Sequence, residues 1–132
     1  MKYILDTSAY SAFNRGDTRL KSVFAPNNEL LVPLIVIGEL RAGFACGNQL
    51  ERNEALLKKL LNQSNVSVLT PTEATTTQYS HIFAYLRYIG RPCGTNDIWI
   101  AALAREHNLT LVTMDADFHA VENLAVFQLP ET

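Results

Sequence analysis

The chain has 132 residues, 48% hydrophobic and 18% charged, the proportions of one ordinary globular domain rather than of a disordered segment or a multidomain enzyme. Two cysteines, Cys46 and Cys93, make no disulfide framework and read as buried thiols. Thirteen acids against eleven bases give a net charge of −2, which excludes a strongly basic nucleic-acid coat but not an enzyme acting on nucleic acid.

Lys2-Tyr3-Ile4-Leu5 reads as a buried strand stopping at Asp6, after which Thr7 or Ser8 can cap a helix reaching about Asn14 and ended by Gly16. A basic, partly helical stretch follows, with Arg15, Arg19 and Lys21. Leu30-Leu31-Val32 is a second strand. Pro33 suits a first helical turn, and Leu34, Ile35, Ile37, Leu40 and Phe44 continue at helical spacing, with Gly43 and Gly47 loosening the end. Residues 49–61 set Leu50, Leu57, Leu60 and Leu61 opposite Arg52, Glu54, Lys58 and Lys59, an amphipathic helix. Val66 to Leu69 is a third strand. Pro71 and Thr72 open a long helix, with Thr72 or Thr75 as cap, carrying Tyr79, Ile82, Phe83, Leu86 and Ile89. After the loop Gly90 to Gly94, Asn96 or Thr95 caps a helix from Asp97 to about His107. Leu109 to Val112 and Leu124 to Phe127 are the fourth and fifth strands.

Short apolar strands joined by helices mean βαβ units and a mostly parallel sheet covered on both faces, all within a single domain spanning 1–132. No apolar run is long enough for a membrane span, and an acid stands where a signal peptide would stay apolar, so a cytoplasmic protein is expected. In such sheets ligands bind beyond the carboxyl ends of the strands, where the strand order reverses. That rule points at Asp6 and Asp115.

Two more acids stand out by their surroundings. Glu39 interrupts an apolar helical stretch, where a charge is costly without a partner, and Asp97 opens the apolar helix Ile98-Trp99-Ile100-Ala101-Ala102. Each acid also has a local explanation. Asp6 can cap a helix, Asp97 can complement a helix dipole, Glu39 can pair with Arg41, and Asp115 with Asp117 can shape a turn. Together they mean more. At about 5 Å and an effective dielectric near 20, each like-charged pair costs roughly 3 kcal/mol. A hard divalent cation compensates such a cluster, and carboxylate ligands suit Mg²⁺ or Mn²⁺ rather than zinc. His81, His107 and His119 lack paired spacing and read as structural or surface residues. A carboxylate-bound Mg²⁺ or Mn²⁺ pair fits phosphodiester hydrolysis without a protein nucleophile. No phosphate-binding glycine loop, dinucleotide fingerprint or nucleophile elbow is present. With the four acids set aside, the eleven bases outnumber the acids that remain, leaving a mildly basic surround.

Four motifs now stand in order: Ile4-Leu5-Asp6-Thr7-Ser8, Ile37-Gly38-Glu39-Leu40-Arg41-Ala42-Gly43, Thr95-Asn96-Asp97-Ile98-Trp99-Ile100-Ala101-Ala102 and Leu111-Val112-Thr113-Met114-Asp115-Ala116-Asp117-Phe118. Through them the whole chain resembles the PIN-domain ribonucleases, and among these the VapC-like toxins of type II toxin–antitoxin pairs. The resemblance implies an α/β fold, a three-layer α/β/α sandwich with a mostly parallel five-stranded sheet in the order 3-2-1-4-5. It implies an endoribonuclease in which Asp6, Glu39, Asp97 and Asp115 bind Mg²⁺ or Mn²⁺. Asp6 and Asp97 are then principal ligands, Asp117 an accessory one, and Thr7, Asn96 and Thr113 orient carboxylates or water. Implied partners are an RNA substrate, a second copy of the chain, and a VapB-like antitoxin whose arginine can take the cation's place. The helix at 49–61 and the loop near 43–48 are expected walls of the antitoxin groove. Arg15, Arg19, Lys21, Arg41, Arg87 and Arg91 are candidate phosphate contacts, while Trp99 reads as core and Tyr79, Phe83 and Tyr88 as packing or dimer residues.

Other readings are a PIN nuclease that is not a toxin, and a catalytically silent PIN-like module that binds RNA or protein. A haloacid-dehalogenase-like phosphatase needs a second Asp where this chain has Ser8, and a receiver domain needs an acidic pair and a later Lys that are missing.

Overall fold

A computed structural model describes residues 1–129; the end of the expected domain at 130–132 lies outside the described residues. Five strands form one sheet: β1 (Lys2–Leu5), β2 (Glu29–Pro33), β3 (Val66–Leu69), β4 (Thr110–Thr113) and β5 (Val126–Gln128). Their order is β3-β2-β1-β4-β5 and every pairing is parallel. The expectation of a mostly parallel sheet becomes an entirely parallel one. Successive residues of a strand face opposite sides. Ile4 and Leu5 in β1, and Leu111 and Val112 in β4, are all fully buried, so helices cover both faces at the centre.

Five α-helices make the outer layers: α1 (Thr7–Asn14), α2 (Leu34–Cys46), α3 (Leu50–Leu61), α4 (Glu73–Tyr88) and α5 (Thr95–Glu106), with short 3-10 turns at Thr18–Leu20 and Ala116–Ala120. Trp99, read as a core residue, is only half-buried and stands outside the core; its ring lies 4.3 Å from that of Tyr79 and packs α5 onto α4 instead. Phe83 and Tyr88 instead lie exposed on α4.

Several boundaries differ from the sequence reading. Pro33 is the last residue of β2, extended at φ −60° and ψ 140°, and not part of a helical turn. Its fixed φ suits a strand end, where no N–H need be donated. Asp6, not Thr7 or Ser8, caps α1, and its carboxylate accepts the Ala9 N–H. Helix α5 begins at Thr95 with Gly94 as its cap, two residues earlier than read. The Asn96 side chain is engaged elsewhere and leaves the cap without a side-chain bond. Residues 43–46 are the last turn of α2, so only 47–49 form the connection to α3. Gly16 ends α1 in the left-handed region, at φ +80°. Cys46 is exposed and Cys93 half-buried, contrary to the expectation of two buried thiols. Cys46 falls on the open last turn of α2, and Cys93 precedes the start of α5.

Candidate active site

The strand order reverses between β1 and β4. The chain builds β1, β2 and β3 outward to one side, then returns to lay β4 on the other side of β1. Leu5 pairs with Val112, so the residues just beyond, Asp6 and Thr113, face each other at the carboxyl edge. The Asp6 N–H extends the ladder by one bond to the Val112 carbonyl, at 3.3 Å.

Asp6 is the most buried carboxylate of the group, only 4% exposed. Its Oδ1 accepts from Ser8 Oγ at 2.7 Å and from the Ala9 N–H at 2.8 Å, while Oδ2 accepts from Thr113 Oγ1. These three bonds favour the charged form, but burial outweighs them and raises the Asp6 pKa, and Asp115 adds to the rise. Thr113 Oγ1 also accepts the Asp115 N–H at 2.9 Å. Ser8 Oγ accepts the Met114 N–H at 2.9 Å. Two hydroxyls therefore clip the end of β1 to the end of β4 and fix Asp6 relative to Asp115. The Asp115 carboxylate accepts the Asp117 N–H at 2.9 Å, so Asp115 shapes the turn leading to the 3-10 segment, as its local reading allowed.

The other half of the site is carried by helices. Glu39, on the second turn of α2, accepts from Thr7 Oγ1 at 2.8 Å and from Asn96 Nδ2 at 3.4 Å. It does not pair with Arg41, which is bound to Glu54 of α3 at 2.9 Å. Asp97 lies in the first turn of α5, where its charge suits the helix dipole. Among the described residues its side chain has one hydrogen bond, a weak one from Cys93 Sγ at 3.9 Å. Its carboxyl is pushed up to about 6, first by burial and then by the negative charges of Asp115, Asp6, Glu39 and Asp117. Burial and Asp97 likewise push the Cys93 thiol up to about 11.

Asp6, Glu39, Asp97 and Asp115 thus converge as a field at one sheet edge, with Asp117 exposed at its rim. Among the described residues no three His, Cys, Asp or Glu side chains enclose a metal site. The donor chemistry still fits a hard cation. All donors are carboxylate oxygens, their mutual repulsion is uncompensated by any cationic side chain in contact, and Mg²⁺ is commonly held by one or two carboxylates with waters completing its shell.

Thr7, Asn96 and Thr113, expected to orient the carboxylates, all bond to one of them. The sequence reading missed Ser8 and Cys93. Ser8 is detectable as a hydroxyl two residues after a strand-end acid. Of the basic candidates, Arg19 is bound to Asp17 at 2.7 Å, and Arg41 to Glu54. The guanidinium of Arg15 rests on Met114 Sδ at 3.7 Å. Lys21, Arg87 and Arg91 are exposed, and all three histidines lie at the surface.

The sequence profile of the PIN domain matches residues 3–124. Ribonuclease VapC1 of Haemophilus influenzae is 33% identical over 129 residues, covering 94% of this chain and 95% of the relative. Two solved structures are alike in fold at 28% identity and a TM-score of 0.84: VapBC2 from Rickettsia felis bound to a DNA fragment from their promoter, and VapBC-1 from nontypeable Haemophilus influenzae. Each alignment covers 97% of this chain and 98% of the other.

Proposed function

The chain belongs to the PIN-domain family, and from that premise we propose that it is the toxin of a toxin–antitoxin pair, a divalent-metal-dependent endoribonuclease. The observation that carries the reading is the elevated Asp97 carboxyl, facing Asp6, Glu39 and Asp115 across the point where the strand order reverses. Such a set of acids is a poor structural device and a good cation site.

Asp6 and Asp97 would hold Mg²⁺ or Mn²⁺, with Glu39 and Asp115 completing the shell directly or through water and Asp117 as an accessory at the rim. When bound, such a cation supplies an acidified water and charge stabilisation for the leaving oxygen of an in-line displacement. The chain's own residues prepare the site for it. Ser8 and Thr113 hold the Asp6 carboxylate in one orientation, so ligand binding costs it little rotamer freedom. Thr7 and Asn96 hold Glu39 from two sides, on α1 and on α5, and draw the helices together around the reacting atoms. The thiol of Cys93, held protonated, places a weak, uncharged donor beside Asp97.

The partner in this reading is a VapB-like antitoxin, since the solved structures similar to this chain include VapBC complexes. An arginine from it can bind the acids bidentately in place of the cation. Helix α3 and the 47–49 connection offer a wall for it, with Leu50 and Leu56 exposed. A homodimer, through the exposed face of α4 that carries Phe83 and Tyr88, and action on RNA in the cytoplasm complete the proposal.

Induced expression of the wild type and of Asp97→Asn, with RNA ends mapped by sequencing, tests it. Discrete cuts and growth arrest with the wild type alone are expected. Arrest without cuts in both would favour a silent binding module, and cuts without arrest a PIN nuclease that is not a toxin.

A further inference from the structure

Four converging carboxylates repel the phosphates of an RNA strand, so a nuclease of this design needs cations close enough to hold the strand across the site. Most of the basic residues named above are unsuited to this. Arg41 and Arg19 are held by carboxylates of their own chain. Arg15 differs. Its guanidinium makes no ion pair with a carboxylate among the described residues, although the Asp17 carboxylate is near enough to feel its charge, and its side-chain hydrogen bond goes to the sulfur of Met114. A thioether is a weak acceptor, so nearly all of the guanidinium's donors stay open to solvent.

Met114 ties this arginine to the acids. Its backbone N–H is bound by Ser8 Oγ, which also holds Asp6, and the next residue is Asp115. Between Met114 and residues 15–19 runs an open cleft of about 440 Å³. The Asp17 carboxylate on its wall is neutralised by the Arg19 fork, with bonds of 3.0 and 2.7 Å. The cleft therefore carries net positive charge from Arg15. A smaller hollow of about 150 Å³ adjoins it across Gly16, Asp17 and Thr18, lined also by Lys21 and Phe13.

We propose that the cleft between Arg15 and Met114 seats an RNA phosphate flanking the one that is cut, bound by the Arg15 guanidinium with Met114 as its positioning residue. The inference rests on the ribonuclease reading above and names how that site holds its substrate. The planar fork matches a phosphate bidentately, and the flexible sulfur supports the guanidinium without consuming its donors.

The test uses the full chain carrying Asp97→Asn, so that a short single-stranded oligoribonucleotide of mixed sequence is bound without being cut. Affinity is measured across a salt series for this protein and for versions that add Arg15→Gln, Arg15→Lys or, as a surface control at the amino end of β1 and so at the opposite edge of the sheet, Lys2→Gln. Removal of one phosphate contact should flatten the slope of log affinity against log salt by about 0.7 and weaken binding roughly tenfold. Arg15→Lys should restore the slope but only part of the affinity, because an ammonium lacks the fork. With Asp97 restored, Arg15→Gln should raise KM for cleavage of the same RNA while kcat stays within a factor of two or so.

An unchanged slope in Arg15→Gln overturns the assignment while leaving the nuclease reading intact, and so does an equal flattening in Lys2→Gln. Unchanged RNA binding with weakened capture of the antitoxin also overturns it and gives the cleft to the protein partner. Absence of both RNA binding and cleavage in the parent proteins overturns the nuclease reading itself.

Discussion

The strand-borne and helix-borne halves of the acidic site are built to different standards. At the ends of β1 and β4, Asp6 is buried and has both oxygens bonded, and Asp115 is tied back through Thr113 and Asp117. On the helices, among the described residues, the Asp97 side chain has one hydrogen bond, from a thiol at 3.9 Å, and Glu39 is linked to α5 by a 3.4 Å bond from Asn96. The parallel ladder accounts for the difference. It fixes the backbone on both sides of Asp6 to within one hydrogen-bond register, so short hydroxyl side chains can reach the carboxylate. Helix α5 carries Asp97 without such a ladder. Its carboxylate is left facing like charge, which is the arrangement a cation would complete.

That contrast is sharpest at Thr113. Replacement by valine keeps the volume but removes the donor to Asp6 and the acceptor for the Asp115 N–H at once. A buried carboxylate then loses a partner and a backbone donor is left unpaired, so a loss of about 2–3 kcal/mol is expected in urea unfolding. Ser8→Ala likewise removes a donor to Asp6 and the acceptor for the Met114 N–H, but at a half-buried position that water can reach, so it should cost less, about 1 kcal/mol. Equal and negligible losses in the two variants would mean that the hydroxyl clip does not hold the strand ends.

The opposite behaviour is expected of Asp97. Its folded carboxyl sits near 6 against an ordinary 3.8, so the folded state holds the proton more tightly than the unfolded state does. By linkage, stability of the metal-free protein falls as pH rises from 3.8 through about 6, then levels off; the raised Asp6 carboxyl acts in the same direction. Asp97→Asn removes its share of that repulsion and should melt higher than the wild type at neutral pH without added metal. Added Mg²⁺ should raise the melting temperature of the wild type more than that of the variant, because a ligand that binds only the native state stabilises it. A pH-independent melting temperature, with equal metal shifts in both proteins, would remove Asp97 from the cation site.

The two halves were also unequally legible in the sequence. Asp6 and Asp115 follow from apolar runs that stop at an acid, together with the rule that places ligands where strand order reverses, and the sheet order bears out the expected 3-2-1-4-5 arrangement. Glu39 and Asp97 stand out only because charge interrupts helical apolar stretches. That signal does not reveal what each acid meets, and so Glu39 was as free to pair with Arg41 as with Thr7 and Asn96. The start of α5 was misplaced for the same reason. Asn96 reads as a cap by local preference, but a tertiary bond to Glu39 takes its side chain and leaves the cap to Gly94. Ser8 shows locally only its two-residue spacing from Asp6; its other partners, Thr113 and Met114, lie more than 100 residues away along the chain, so its part in joining the strand ends does not show in the sequence.

Asn96 provides the smallest and most selective probe of the comparison. Its bond to Glu39 is long and exposed, so Asn96→Ala should change the urea midpoint by less than about 0.5 kcal/mol of stability. Thr7 would still hold the other oxygen of Glu39 at 2.8 Å, so the carboxylate keeps its place on α2 but loses its link to α5. If the helix-borne half is completed by a cation, this variant should lose divalent affinity severalfold in calorimetric titration despite its near-normal stability, since outer-shell partners tune ligands more than they hold the fold. A stability loss as large as that of Thr113→Val would mean instead that the α2–α5 link is part of the framework, and that the two halves are equally preformed.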